Sequence, residues 1–155
     1  MSRVQLALNV ADVNEAVAFY SKLFATEPAK VRPGYANFAI EDPPLKLVLI
    51  EDAAVEPGSL NHLGVEVATA AAVAAAGDRL RAEGLATAVE DGVTCCYALQ
   101  DKVWVHGPDG EPWEVYTVLA DSGAPGGAMA VADSSGETVA ASCCGVRSAV
   151  HVAAH

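Results

Sequence analysis

An internal repeat constrains this chain more than any other feature. The order strand, helix, several strands occurs twice before residue 121, so two similar units must bury a shared core. Residues 3–10 (RVQLALNV) alternate as a strand does. Asp12 stands at a helix N-cap position with Glu15 three residues on, a capping-box pattern. Val13, Ala16, Val17, Tyr20, Leu23 and Phe24 recur at helical spacing, which predicts an amphipathic helix over 13–24. Residues 34–40 and 45–50 read as strands around the Asp42-Pro43-Pro44 turn, with a short strand at 29–32. The plan then recurs. A strand at 61–67 leads to a helix capped by Thr69 and stopped by Gly84. Strands follow near 86–90, 97–100, 102–106 and 112–119, the last two parted by the turn Pro108-Asp109-Gly110. The chain is therefore expected to be α+β, with modules at about residues 1–55 and 58–120. From Asp121 onward Gly, Ala and Ser dominate, and 121–155 reads as a flexible tail carrying Cys143 and Cys144.

The net charge of −11 argues against nucleic acid, because phosphate binding needs clustered Lys and Arg. It disfavours anionic substrates weakly and leaves neutral ones unaffected. No apolar run is long enough for a membrane span, and no signal-like segment is read at Met1-Ser2-Arg3, so a cytoplasmic protein is expected.

Registering the two halves on their first strands brings Gln5 opposite His62, 57 residues later. Gln5, Ala7 and Asn9 then share an inward face, as do His62, Gly64 and Glu66. Glu114 adds a polar group on the last strand, with Tyr116 on the same side and Trp113 and Val115 on the other. A polar side chain on a buried strand face needs a partner. An amide oxygen, an imidazole and a carboxylate with open positions suit a divalent transition metal, in the manner of non-haem Fe(II) sites. Each residue alone has a plainer reading. A single histidine near a strand start is more often structural, and Glu114 could lie on an exposed edge strand. His106 competes as a ligand but abuts a turn, and His151 and His155 lie in the tail.

The cysteines come as two adjacent pairs, Cys95-Cys96 and Cys143-Cys144, unlike a spread disulfide framework or a C-x₂₋₄-C zinc site. Adjacent thiols suit a soft ion, but neighbours in a regular strand face opposite ways. Both reach one ligand only if the backbone bulges or loops, for which Asp91-Gly92 supplies turn chemistry; otherwise they are packing residues. Lys102 is the nearest basic residue in sequence, and Gln100-Asp101-Lys102 reads as a mobile flap over the pair. Tyr97, Tyr35, Phe38 and Trp104 are candidates for an apolar pocket, with core packing expected for at least two of them.

At these residues a resemblance becomes specific. VQLALNVADVNEAVAFYSKLF, NHLGVEV, VTCCYA, QDKVWV and PDGEPWEVYTV resemble the carbon–arsenic lyase (ArsI) family and its relatives, the cadmium-induced CadI proteins. Both belong to the vicinal oxygen chelate superfamily, and the likeness spans about residues 3–119. It implies paired βαβββ modules forming a cupped mixed sheet around one metal. It implies Fe(II) on Gln5, His62 and Glu114, and a trivalent organoarsenical held by Cys95 and Cys96, with Lys102 and Tyr97 beside it. The implied reaction is cleavage of the carbon–arsenic bond with molecular oxygen, releasing arsenite. The alternatives are a soft-metal binder of the cadmium-induced type, another glyoxalase-like metalloenzyme, or a bleomycin-resistance-like binder without a metal. Either a monomer or a homodimer is compatible with the sequence.

Overall fold

The computed structural model describes residues 2–123, 129–132 and 138–141. The first module runs β1 (Arg3–Val10), α1 (Val13–Phe24), β2 (Lys30–Arg32), β3 (Tyr35–Ile40) and β4 (Leu45–Glu51). The second runs β5 (Leu60–Glu66), α2 (Ala70–Ala82), β6 (Thr87–Cys95), β7 (Ala98–His106) and β8 (Pro112–Asp121). All eight strands form one curled mixed sheet in the order β2-β3-β4-β1-β5-β8-β7-β6. Each module pairs its first and last strands in parallel, β1 with β4 and β5 with β8, and adds two antiparallel neighbours outward.

The modules meet where β1 and β5 run antiparallel. Gln5 pairs with Gly64 and Ala7 with His62. The two pairs are one pair seen twice, because a shift of 57 residues carries Gln5 to His62 and Ala7 to Gly64. The sheet is thus two-fold symmetric about the β1–β5 seam.

Local chemistry sets the helix ends. Asp12 Oδ1 accepts from the Asn14 and Glu15 amides at 2.8 and 2.9 Å, satisfying two donors that the first turn of α1 cannot. Thr69 Oγ1 caps α2 through the Ala72 amide. Alternation sends one strand face to the helices and the other into the cup. Phe38, Leu47 and Leu49 face outward under α1 with Val13, while Val103 lies under α2 with Val73 and Leu80. Tyr35, Ala7, Val48 and Ile50 face the hollow.

Two details differ from the sequence reading. The segment expected as strands 97–100 and 102–106 is one unbroken β7, so Lys102 sits mid-strand and 1% exposed rather than on a flap. The Asp91-Gly92 pair makes a bulge within a longer β6, with the Gly92 amide held by Asp101 Oδ1, and not the loop expected there. In the tail, β9 (Met129–Ala132) and β10 (Thr138–Ala141) pair as a separate two-stranded sheet. Cys143, Cys144, His151 and His155 lie outside the described residues. Among those described, no helix is long and apolar enough to cross a membrane.

Leu49 is fully enclosed and Leu23 is mostly exposed. Leu49→Ala is expected to cost about 2–5 kcal/mol in urea unfolding, whereas Leu23→Ala should stay within about 0.5 kcal/mol.

Candidate metal and thiol site

Three polar side chains meet at the seam. Gln5 Nε2 lies 2.7 Å from Glu114 Oε1 and 3.0 Å from His62 Nε2, and His62 Nε2 lies 3.4 Å from Glu114 Oε1. All three residues are buried. Glu114 is not on an edge strand, since β8 runs between β5 and β7. Gly64 lets the groups come together: a Cβ there would stand 3.0 Å from Glu114 Cγ and 3.4 Å from Gln5 Cβ. Ligand atoms about 2.1 Å from one metal and at right angles are about 3.0 Å apart. The observed edges bracket that value, so ligand atoms at these three positions would suit one face of a divalent ion once the Gln5 amide oxygen takes the place of its nitrogen. The Gln5 amide presents nitrogen to its neighbours, with Oε1 accepting from the Tyr116 hydroxyl at 2.6 Å.

The two-fold explains why there are three such residues and not four. Val48 lies beside Ala7 on β4 as Glu114 lies beside Gly64 on β8. The position equivalent to Glu114 is therefore apolar, and among the described residues that strand position supplies no side-chain ligand.

His62 is oriented from behind. Asn61 Nδ2 donates to Asn9 Oδ1 at 2.8 Å, and Asn9 Nδ2 donates to Ser59 Oγ at 2.9 Å. That leaves Asn61 Oδ1 as the acceptor for His62 Nδ1–H at 2.7 Å, so Nε2 carries the lone pair facing Gln5 and Glu114. The Trp104 ring meets the imidazole edge-on at 5.5 Å.

Lys102 donates to Glu114 Oε2 at 2.7 Å. Burial disfavours the charged form of each, but the pair interaction outweighs it. Glu114 is held down at about 2, and Lys102 is pushed well above the ordinary lysine range. A buried carboxylate on an interior strand requires such a partner, which is why Lys102 is enclosed and not on a flap. Four of the nine Lys and Arg residues (Arg3, Lys30, Lys46 and Lys102) line the hollow of an otherwise acidic chain, so the global charge misdescribes it.

Cys95 ends β6, and Cys96 and Tyr97 form a two-residue turn into β7. Both turn residues have positive φ, 49° and 62°, as a type I′ hairpin turn demands. That conformation is strained without glycine or asparagine, and it overrides strand alternation. The sulfurs stand 3.6 Å apart, and both residues line the hollow of about 220 Å³ that Gln5, His62 and Glu114 also line. The first module grips the turn. Lys30 Nζ donates to the Tyr97 carbonyl at 3.1 Å and pairs with Asp121, Tyr97 Oη reaches the Pro33 carbonyl, and the Tyr35 and Tyr97 rings lie 5.4 Å apart. Of the expected pocket aromatics, Tyr35 lines the hollow and Phe38 belongs to the core under α1. His106 is exposed and takes no part. Sequence reasoning missed Asn61 as a site residue, put Tyr116 on the inward face without a role, and read Gln100 as part of a flap rather than a buried strand residue. Among the described residues, the buried Gln100 Oε1 in the hollow finds no hydrogen-bond donor.

Paired βαβββ modules curled around a polar seam define a vicinal oxygen chelate protein. Residues 3–115 match the glyoxalase/bleomycin resistance protein/dioxygenase superfamily. The chain belongs to that superfamily and, within it, to the group of the trivalent organoarsenical cleaving enzymes and the CadI proteins. It is 56% identical to the trivalent organoarsenical cleaving enzyme of Thermomonospora curvata, over 93% of this chain and 100% of that one. It is 66% identical to the cadmium-induced protein CadI of Mycobacterium tuberculosis, over 79% of this chain and 80% of that one. The 2,3-dioxygenase LapB from Pseudomonas sp. KL28 shares the fold at a TM-score of 0.59 and 18% identity, over 78% of this chain and 42% of that one. A Mn(II)-bound glyoxalase from Novosphingobium aromaticivorans does so at 0.57 and 20%, over 79% and 42%.

Because the Glu114 pKa is depressed, its contacts stabilise the fold above the ordinary value of 4.5, and that contribution is lost as pH falls toward about 2. In chelator-treated protein, Lys102→Met should destabilise by about 3–5 kcal/mol at neutral pH, and Lys102→Met with Glu114→Gln by much less. Chemical unfolding across pH 2–7 checks both; the acid-side decline should be shallower in the double variant.

Proposed function

We propose that this protein cleaves the carbon–arsenic bond of trivalent organoarsenicals, using Fe(II) and molecular oxygen and releasing arsenite. One observation carries the reading: the sulfur pair and the Gln5–His62–Glu114 triad open onto the same hollow. Gln5, His62 and Glu114 would hold the iron, which supplies activation of oxygen, a chemistry the side chains lack. Cys95 and Cys96 exchange with the two hydroxyls of R–As(OH)₂, giving R–As(S-Cys)₂ and two waters. The turn holds the arsenic between the sulfurs, so its remaining bond is to carbon and is retained beside the triad. The buried Gln100 acceptor gives the incoming hydroxyls a partner before exchange. Tyr35 lines the hollow on the first-module side, and Tyr97 packs against the Tyr35 ring from the turn without lining the hollow itself. Val48 leaves the flank opposite Glu114 open. The names of the relatives at 56% and 40% identity support the same substrate class.

The 66% identity to CadI favours a second reading, capture of a soft ion by the thiols without turnover. Oxygen uptake separates the two. Protein reconstituted with Fe(II) under anaerobic conditions, then given methylarsenite and oxygen, should consume oxygen and release arsenite. Capture alone would do neither. Cys95→Ser with Cys96→Ser should lower arsenite release by more than about 100-fold; full activity in that variant overturns the substrate assignment. Val48→Glu adds a carboxylate to the open flank. It should retain metal through dialysis at least as well as the parent while losing turnover by at least about tenfold.

A further inference from the structure

We propose that Tyr116 and Glu66 are the positioning pair that turns the Gln5 amide oxygen toward His62 and Glu114, making Gln5 an oxygen ligand. This rests on the ligand set proposed above. The observation behind it is a count of hydrogens. The Tyr116 hydroxyl lies 2.6 Å from Gln5 Oε1 and 3.1 Å from Glu66 Oε2. Burial works against the charge on Glu66, but Arg3, at 3.0 and 3.4 Å, and Lys46, at 3.7 Å, outweigh it and keep the carboxyl below its usual range. An ionised carboxylate only accepts. The phenol therefore has one hydrogen and two acceptors, and one of its short contacts is left without a proton. Tyr116 is fully enclosed beneath the Lys46 ammonium, so solvent cannot supply the missing donor.

A half-turn of the Gln5 amide about its last bond removes the conflict. Nε2 then donates to the tyrosine oxygen, and the tyrosine donates to Glu66. Inside the site the same turn has the opposite effect: Oε1 would face the lone pair of His62 and the charge of Glu114, an arrangement that only a cation stabilises. The outer network thus favours oxygen inward, and the inner pair favours nitrogen inward until a cation is bound. The support crosses the seam, since Glu66 of β5 serves Gln5 of β1, while Asn9 of β1 serves His62 of β5 through Asn61.

Optical titration with Co(II) tests this without turnover. Tyr116→Phe and Glu66→Gln are each made in the parent and in a Gln5→Glu background, whose two carboxylate oxygens are equivalent. In the parent, each should weaken Co(II) binding by about 10- to 100-fold. In the Gln5→Glu background the Tyr116→Phe loss should shrink to under about threefold. The Glu66→Gln loss should shrink as well, to the part due to removing a charge. Thermal unfolding verifies that each variant is folded. Equal losses in both backgrounds, or unchanged binding by both variants in the parent, overturn the proposal. Gln5→Ala binding Co(II) as tightly as the parent overturns the ligand set itself, and with it any role for a pair that orients Gln5.

Discussion

The β1–β5 pairing is the constraint on which the rest depends. It joins the modules, fixes their two-fold relation and puts Gln5 next to Gly64 and Ala7 next to His62. Because side chains alternate, a slip of one residue would send Gln5 outward beneath the helices and Leu6 into the hollow. The register is locked on both faces. Leu6 and Leu8 pack under α1, and the inner residues are tied by hydrogen bonds among themselves. The glycine at position 64 belongs to the same constraint, since a Cβ there would press on the Glu114 side chain and crowd Gln5 across the seam.

From that seam follows an electrostatic requirement. Glu114 brings a negative charge into the middle of a sheet, and the chain answers with Lys102 from the adjacent strand. Glu66 raises the same requirement lower in the hollow, met by Arg3 and Lys46. The cationic lining of the cavity is therefore largely the consequence of two carboxylates, the buried candidate ligand Glu114 and the half-buried Glu66. Such groups cost stability unless every charge and hydrogen is matched. The mismatch at Tyr116 stands out for that reason.

Much of this was legible in the sequence because it follows from period and punctuation. The helices start at Asp12 and Thr69 as their caps predict, and the 57-residue offset that makes Gln5 and His62 equivalent is the one the paired strands keep, with Gln5 beside Gly64 and Ala7 beside His62. What escaped were features that depend on tertiary partners. A lysine near a turn reads as mobile until the buried acid across the sheet is known. Cys-Tyr carries none of the Asn-Gly chemistry of a tight hairpin, so the turn was sought at Asp91-Gly92, where propensity is high but pairing continues through a bulge. Asn61 and Tyr116 have ordinary polar or core readings along the chain. Only the geometry makes them the groups that set a tautomer and face an amide.

The twisted turn at Cys96-Tyr97 has one more consequence. Its torsions, and the clasp of Lys30, Pro33 and Tyr35 around it, determine how far apart the sulfurs stand before anything arrives. If the pair takes the proposed ligand, a bite of that width would select by bond angle as well as by softness. A pyramidal centre that holds two sulfurs on the same side would be accepted without rearrangement, whereas a linear two-coordinate ion would have to pry the hairpin open against the neighbouring module.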